Sequence, residues 1–384
     1  MRPFAAFVLG LSALLLPVLL RGQAPAPAPA PAAAPTGPTI GFMHAIHATD
    51  NVETTLAFYT KVFGLTTNVQ PFANAAVPIL TDSPGVSLRI AMVRIPGDGF
   101  GFELTEFTGV PRRPAQPRVT DPGAPHIKLL VRDIDQVVAN AKAAGATIVT
   151  RGGAPVMVPT AVGPARSIVL RDPDGYIVQA IASSAPVQAT APAPRRGGAA
   201  PAATPATPSN VVGSIMGETI GDMAASMKFW KEQMGFEIQG DSKWVTDKAM
   251  ADLFGIPPAT EFRVFSAVVP GSRTAQLPTG ARIEFIEFRG TPKTPFDLRV
   301  PDPGASGMAI RVADIVNLVA RLKSQGVRVI SRNGELVEWS PTVRNAFIKD
   351  PDGLNVEIVG DVGPAAGAAP PATATPPPAG RGAQ

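Results

Sequence analysis

Phe58-Tyr59-Thr60-Lys61-Val62-Phe63-Gly64-Leu65 recurs 171 positions later as Phe229-Trp230-Lys231-Glu232-Gln233-Met234-Gly235-Phe236. Three more anchors repeat in the same order. Glu103-Leu104-Thr105-Glu106-Phe107-Thr108-Gly109 returns at Glu284–Gly290, Asp121-Pro122-Gly123-Ala124 at Asp302–Ala305, and Asp172-Pro173-Asp174-Gly175 at Asp350–Gly353, with offsets of 181, 181 and 178. Four anchors in one order at a nearly constant offset make the chain a tandem of two modules. The step in offset from 171 to 181 adds about ten residues to the second copy before Glu284, assigned to Trp244–Pro258.

Each module halves again. His44 to Ala48 alternates as a strand. Asn51 then caps a helix on which Val52, Leu56, Tyr59 and Phe63 share a face. The second half repeats this with a strand from His126 to Val131, a cap at Asp133, apolar Ile134, Val137, Val138 and Ala141, and a stop at Gly145. In both halves the His precedes the cap by seven residues. Short strands follow each helix: Leu88–Ile95 and Phe100–Phe107 in the first half, Thr147–Arg151, Ser167–Arg171 and Tyr176–Ile181 in the second. Asp172-Pro173-Asp174-Gly175 closes the last hairpin, Pro presetting φ and Gly taking the positive φ. The expected fold class is α+β, built from four βαβββ units.

Outside the modules the composition shifts. Residues 1–24 read as a signal peptide, with Arg2 before the apolar run Phe4–Leu20 and small residues near Ala24; an uncleaved N-terminal anchor is the alternative. Residues 25–38 and 184–208 are Ala/Pro-rich linkers, and 361–384 is a Pro/Ala/Gly-rich tail expected to lack a packed core. The globular modules are then 39–183 and 209–360. Export to the periplasm or medium is the expected location, with membrane contact only if the leader stays attached. The chain has no cysteine, which excludes disulfides, thiol catalysis and thiolate metal sites. The formal charge of +4 is spread along the chain without a basic stripe, so nucleic acid is not an expected partner.

The strand histidine, the Phe-Tyr helix ending in Gly-Leu, the Glu-Leu-Thr strand, the second strand histidine before Asp133 and the Asp-Pro-Asp-Gly hairpin together resemble the vicinal oxygen chelate superfamily of glyoxalases, bleomycin-resistance proteins and extradiol dioxygenases. The resemblance covers both globular blocks. It implies cupped mixed sheets, each formed by two βαβββ units around a divalent ion, with ligands on the first and last strands of each unit. In module one these positions are His44, Glu103, His126 and Gln179; in module two they are Ile215, Glu284, Gly307 and Glu357.

Two pairings of the units are open to this family. Pairing across modules joins His44 and Glu103 with Gly307 and Glu357, and Ile215 and Glu284 with His126 and Gln179. Pairing within module one keeps all four polar residues together, and is the arrangement the sequence favours. Module two is then a degenerate partner, with Glu284 and Glu357 sharing a pocket. The implied cofactor is a divalent metal of the Zn, Ni, Mn or Fe class. Glu103 is the candidate catalytic base, since Gln179 cannot accept a proton. His47, out of phase with His44 on the strand, should face away from the site.

The functional expectation is a glyoxalase-like lyase or isomerase acting on a small oxygenated molecule. The alternative is a non-catalytic protein that sequesters a small ligand. A dioxygenase fits less well, because the last-strand carboxylate is replaced by Gln179. A glutathione-dependent enzyme lacks its Arg and Asn at Ala48 and Phe107. Both a monomer of two modules and a homodimer are compatible with the repeat.

Overall fold

The computed structural model describes residues 37–98, 101–160, 163–183, 209–240, 243–274 and 277–362; the expected leader 1–24, the linker between modules and residues 363–384 of the expected tail lie outside the described residues, while Asp361 belongs to the last strand. Among the described residues no helix is long and apolar enough to cross a membrane.

Four units follow one another. Unit one comprises β1 (Thr39–Thr49), α1 (Val52–Phe63), β2 (Gln70–Phe72), α2 (Val77–Leu80), β3 (Ser87–Arg94) and β4 (Gly101–Thr108). Unit two comprises β5 (Pro125–Val131), α3 (Ile134–Ala143), β6 (Thr147–Ile148), β7 (Val156–Val158), β8 (Ala165–Arg171) and β9 (Ile177–Ala182). Unit three comprises β10 (Val211–Ile220), α4 (Met223–Met227), β11 (Glu237–Gln239), α5 (Lys248–Leu253), β12 (Glu261–Val268) and β13 (Arg282–Arg289). Unit four comprises β14 (Ser306–Val312), α6 (Ile315–Ser324), β15 (Val337–Ser340), β16 (Val343–Lys349) and β17 (Asn355–Asp361).

The expected helix signals act as read. Asn51 and Asp133 cap α1 and α3 by accepting from the backbone N–H three residues on, each worth about 1 kcal/mol. Gly64 ends α1 at φ 72°, a conformation that only glycine adopts without cost. The last turns of the unit-three helix, Lys228–Gln233, are π-helical. The additional residues of module two are not confined to Trp244–Pro258. The β11–β12 connection, 240–260, is longer than its counterpart 73–86, and the β12–β13 connection, 269–281, is longer than 95–100.

The fold is α+β with two curled mixed sheets, but the units pair across the modules rather than within them. One sheet runs β15-β16-β17-β14-β1-β4-β3-β2, uniting units four and one. The other runs β11-β12-β13-β10-β5-β9-β8-β6 with β7 on β8, uniting units three and two. The joins are antiparallel: β1 on β14 with His44 opposite Ala309, and β10 on β5 with Gly217 opposite His126. This corrects the in-module pairing expected from the polar residues. Within a module the two halves meet on their helical sides, α1 against α3, with the Asn140 amide donating to the Val62 carbonyl. That contact leaves the β1 and β5 edges with unpaired backbone groups, and the matching edges of the other module satisfy them.

The first sheet curls until its two ends touch: Phe72 on β2 stacks on Trp339 of β15, with ring centroids 6.0 Å apart and planes 15° apart. Between the sheets and helices lies one core drawn from all four units, in which Tyr59, Phe102, Trp230, Phe285, Ile310 and Ile358 are buried.

The modules also touch through the turn after β3. Asp98 is buried there and accepts a hydrogen bond from the Ser214 hydroxyl on β10. Burial, only partly opposed by the Ser214 contacts, pushes its carboxyl up to about 7. The folded state therefore holds this proton where the unfolded chain has released it. The contribution is fully present below the ordinary carboxylate pKa and is lost as pH rises toward about 7. Asp98→Asn should remove that fall, raising stability at pH 8 by about 2–4 kcal/mol while changing little at pH 4. Urea denaturation at the two pH values reads the difference; an equal effect at both would contradict a buried neutral carboxyl.

Candidate functional site

On a strand, alternate side chains share a face, so the register of the first sheet defines the floor of its cup. His44 on β1 lies opposite Ala309 on β14, Ala309 lies beside Glu357 on β17, and Ile46 lies beside Glu103 on β4. One imidazole and two carboxylates, from three strands and both modules, thus share one floor. His44 Nε2 is 3.6 Å from Glu103 Oε2, and both side chains remain open to the cup, at 17% and 19% exposure. Each carboxylate is braced by a single hydrogen bond. The Thr105 hydroxyl donates to Glu103 Oε1 at 2.7 Å, and the Asn345 amide donates to Glu357 Oε1 at 2.8 Å. Ile46, Ala48, Phe107, Ala309, Val337 and Phe347 form an apolar cluster that α2 packs against through Val77 and Leu80.

The electrostatics follow from this placement. Burial pulls the His44 imidazole down despite the nearby Glu103 charge, which favours the neutral ring that binds metals. Burial first, and then the Glu103 charge, pushes Glu357 up to about 8. Neither carboxylate is paired with a Lys or Arg among the described residues. The donor types suit a divalent cation, an imidazole and two carboxyl groups each held by one oxygen from behind with the other left over, but their ligand atoms do not all lie within 4.8 Å of one another, so an ion would have to draw them together.

The second cup holds the remaining positions and is different. His126 on β5 lies opposite Gly217, Glu284 lies beside Gly217 on β13, and Gln179 lies beside Lys128. The Lys128 ammonium forms an ion pair with Glu284, so this cup carries its own cation. Burial, with Lys128 adding to it, pulls His126 down to about 3, and its Nε2 has no hydrogen-bond partner. Gln179 donates to the Ser167 hydroxyl at 2.8 Å. The His126 ring lies over Gly217, where any Cβ would collide with it. The residues of this cup do not fit a divalent ion, because an ammonium already occupies the carboxylate.

Of the four candidate ligands, then, His44 and Glu103 come together, while His126 and Gln179 meet in the other cup. Glu284 and Glu357 do not share a pocket. The residue that sequence reasoning passed over is Lys128. It lies two positions after His126, so strand alternation places it on the same face. Its counterpart in the first cup is Ala309, which leaves the space free.

His47 faces away from the cup, as its phase required. It is fully buried, with Nε2 2.8 Å from Asp172 and 3.7 Å from Asp174. Together with Asp172 and Asp174 it forms a group whose ligand-type atoms lie within 4.8 Å of one another, tight enough to hold an ion. The hydrogen bond from imidazole to carboxylate already fills that role.

The family profile described as Glyoxalase/Bleomycin resistance protein/Dioxygenase superfamily matches residues 41–180 and again 219–358, more than half of the chain. The fold is similar to that of glyoxalase I from Zea mays, with a TM-score of 0.50 and 17% identity over 83% of this chain and 92% of that one. A point mutant of the same maize enzyme gives a TM-score of 0.52 and 18% identity over 83% and 93%. At such identities the likeness is one of fold. No curated protein matches the chain in sequence.

Proposed function

The chain belongs to the Glyoxalase/Bleomycin resistance protein/Dioxygenase superfamily, and from that premise we propose that its first cup is a metal-assisted site, a glyoxalase-like lyase or isomerase acting on a small oxygenated molecule. His44, Glu103 and Glu357 would hold the ion. The observation that carries the reading is their placement on one open floor, each carboxylate braced by a neutral donor and unpaired with any Lys or Arg among the described residues. A bound divalent ion would supply Lewis acidity toward a substrate oxygen.

The chain's own residues do the rest. Glu103, open to the cup, accepts a proton from the substrate. Glu103 then returns that proton to the neighbouring substrate atom, while Glu357 stays committed to holding the ion. The apolar wall of Ile46, Phe107 and Phe347 excludes water from the ligand's far side. The second cup is non-catalytic in this reading. Residues 1–24 support a site of action outside the cytoplasm.

Elemental mass spectrometry of the purified chain tests this, beside His44→Ala, Glu357→Gln and the control His126→Ala. About one equivalent of Zn, Ni, Mn or Fe, counted apart from any calcium, is expected in the parent and in the control, falling at least about tenfold in the other two. A parent that stays metal-free after reconstitution with Zn, Ni, Mn and Fe(II) would end the enzyme reading and leave a protein that sequesters a small ligand. Metal lost only in His126→Ala would move the site to the second cup.

A further inference from the structure

Behind the cups, each module packs its first strand against its own Asp-Pro-Asp-Gly turn. In module one the strand residue is His47. In module two the same position, 171 residues on, is Glu218. A base in one copy is thus replaced by a third acid in the other. Carboxylate oxygens of Glu218, Asp350 and Asp352 lie within 4.8 Å of one another.

The partners differ accordingly. Around Asp172 and Asp174 the His47 ring, the Tyr59 and Thr55 hydroxyls and the Asp50 N–H all donate. In module two Ser226 and the Gly221 N–H still donate to Asp352, and three backbone N–H groups donate to one oxygen of Asp350. Tyr59 has become Trp230, which offers no hydroxyl. Glu218 is fully buried, and no N–H or hydroxyl group among the described residues donates to either of its oxygens; it faces Asp350, whose second oxygen likewise receives none, so without a cation the two acids must share a proton. Lys349, the nearest ammonium, donates to the Leu298 and Gly353 carbonyls and lies 3.1 Å from Asp297. A cavity of about 690 Å³ lined by Gly221, Lys349, Asp350 and Asp352 leads to the cluster.

We propose that Glu218, Asp350 and Asp352 bind a hard divalent cation of the calcium class, at a site separate from the cup. Two buried acids, Glu218 and Asp350, with the half-buried Asp352 beside them and Lys349 engaged elsewhere, are costly to ionise together, and an all-oxygen donor set suits calcium rather than the softer metals. The charge balance also agrees. Two aspartates with a protonated His47 carry one net negative charge, and three carboxylates with a divalent ion carry the same. Burial raises all three acids, and neighbouring carboxylates add to it at Glu218 and Asp352, while the backbone donors only partly oppose it at Asp350.

The full chain, stripped with EDTA, is titrated with calcium chloride at pH 7.5 by calorimetry, and its thermal unfolding is followed with and without the ion. One equivalent should bind, and the midpoint should rise by about 5 °C at a hundredfold excess over Kd. His44→Ala should keep both responses, because it alters only the cup. Glu218→His restores the module-one arrangement, so it should fold without calcium and lose both responses. Should that variant fail to fold, Asp352→Asn at the half-buried rim should weaken binding at least about tenfold. No heat and no midpoint shift in the parent at millimolar calcium would overturn the proposal. So would an undiminished response in a folded Glu218→His or in Asp352→Asn.

Discussion

Residues 39–183 expressed alone should yield no folded monomer. The repeat makes module one look like a self-sufficient domain, but its sheet edges are completed by the other module. Without β14 and β10 the whole of β1 and the whole of β5 become unpaired edges, and the mixed core loses Trp230, Phe285, Ile310 and Ile358. Each large apolar side chain taken from such a core costs about 2–5 kcal/mol, so the loss exceeds the 5–15 kcal/mol of an ordinary domain. Exposed edges of this length drive association. The fragment should aggregate or form dimers in which β1 of one copy takes the β5 edge of another. Light scattering after gel filtration, with far-ultraviolet circular dichroism, reads the outcome. Co-expression with residues 209–362 should restore a soluble one-to-one complex. A monomeric fragment with cooperative unfolding would contradict the cross-module sheets.

His47→Ala should be the most damaging single substitution, costing about 3–5 kcal/mol. Burial pulls this imidazole down, but the Asp172 charge and hydrogen bond, with Asp174 behind them, outweigh it and hold the ring above its ordinary value. The stabilisation is therefore fully present below the ordinary histidine pKa and is lost as pH rises through the raised one. Removing the ring leaves Asp172 and Asp174 facing each other without a cation. It also empties the space between Phe102 and Tyr176, whose centroids lie 6.0 and 4.4 Å from the imidazole. Urea denaturation at pH 6 should show the full loss, and the gap between parent and variant should narrow as pH rises. A loss below about 1 kcal/mol would mean that His47 is a packing residue only.

Much of this site was legible in the chain. His44 and Glu103 were placed by their position on the first and last strands of a repeated unit, and His47 was set apart by strand phase alone. Glu357 was also visible as a ligand position. Its partner was not, because a strand's sequence specifies which face a residue takes but not which strand lies on its free edge. Counting polar residues therefore favoured His126 and Gln179 as companions of His44. The structure gave those two to a cup where Lys128 supplies the positive charge.

The sequence by itself determined the four βαβββ units, their caps and turns, the tandem order and the residues able to face a cup, because each of these is local and periodic. Tertiary structure alone decided which units share a sheet, which side chains meet on one floor, and whether a carboxylate faces a lysine, a histidine or nothing. Those outcomes depend on backbone edges finding partners hundreds of residues away. They also depend on charges being buried beside one another, and neither leaves a local pattern in the chain.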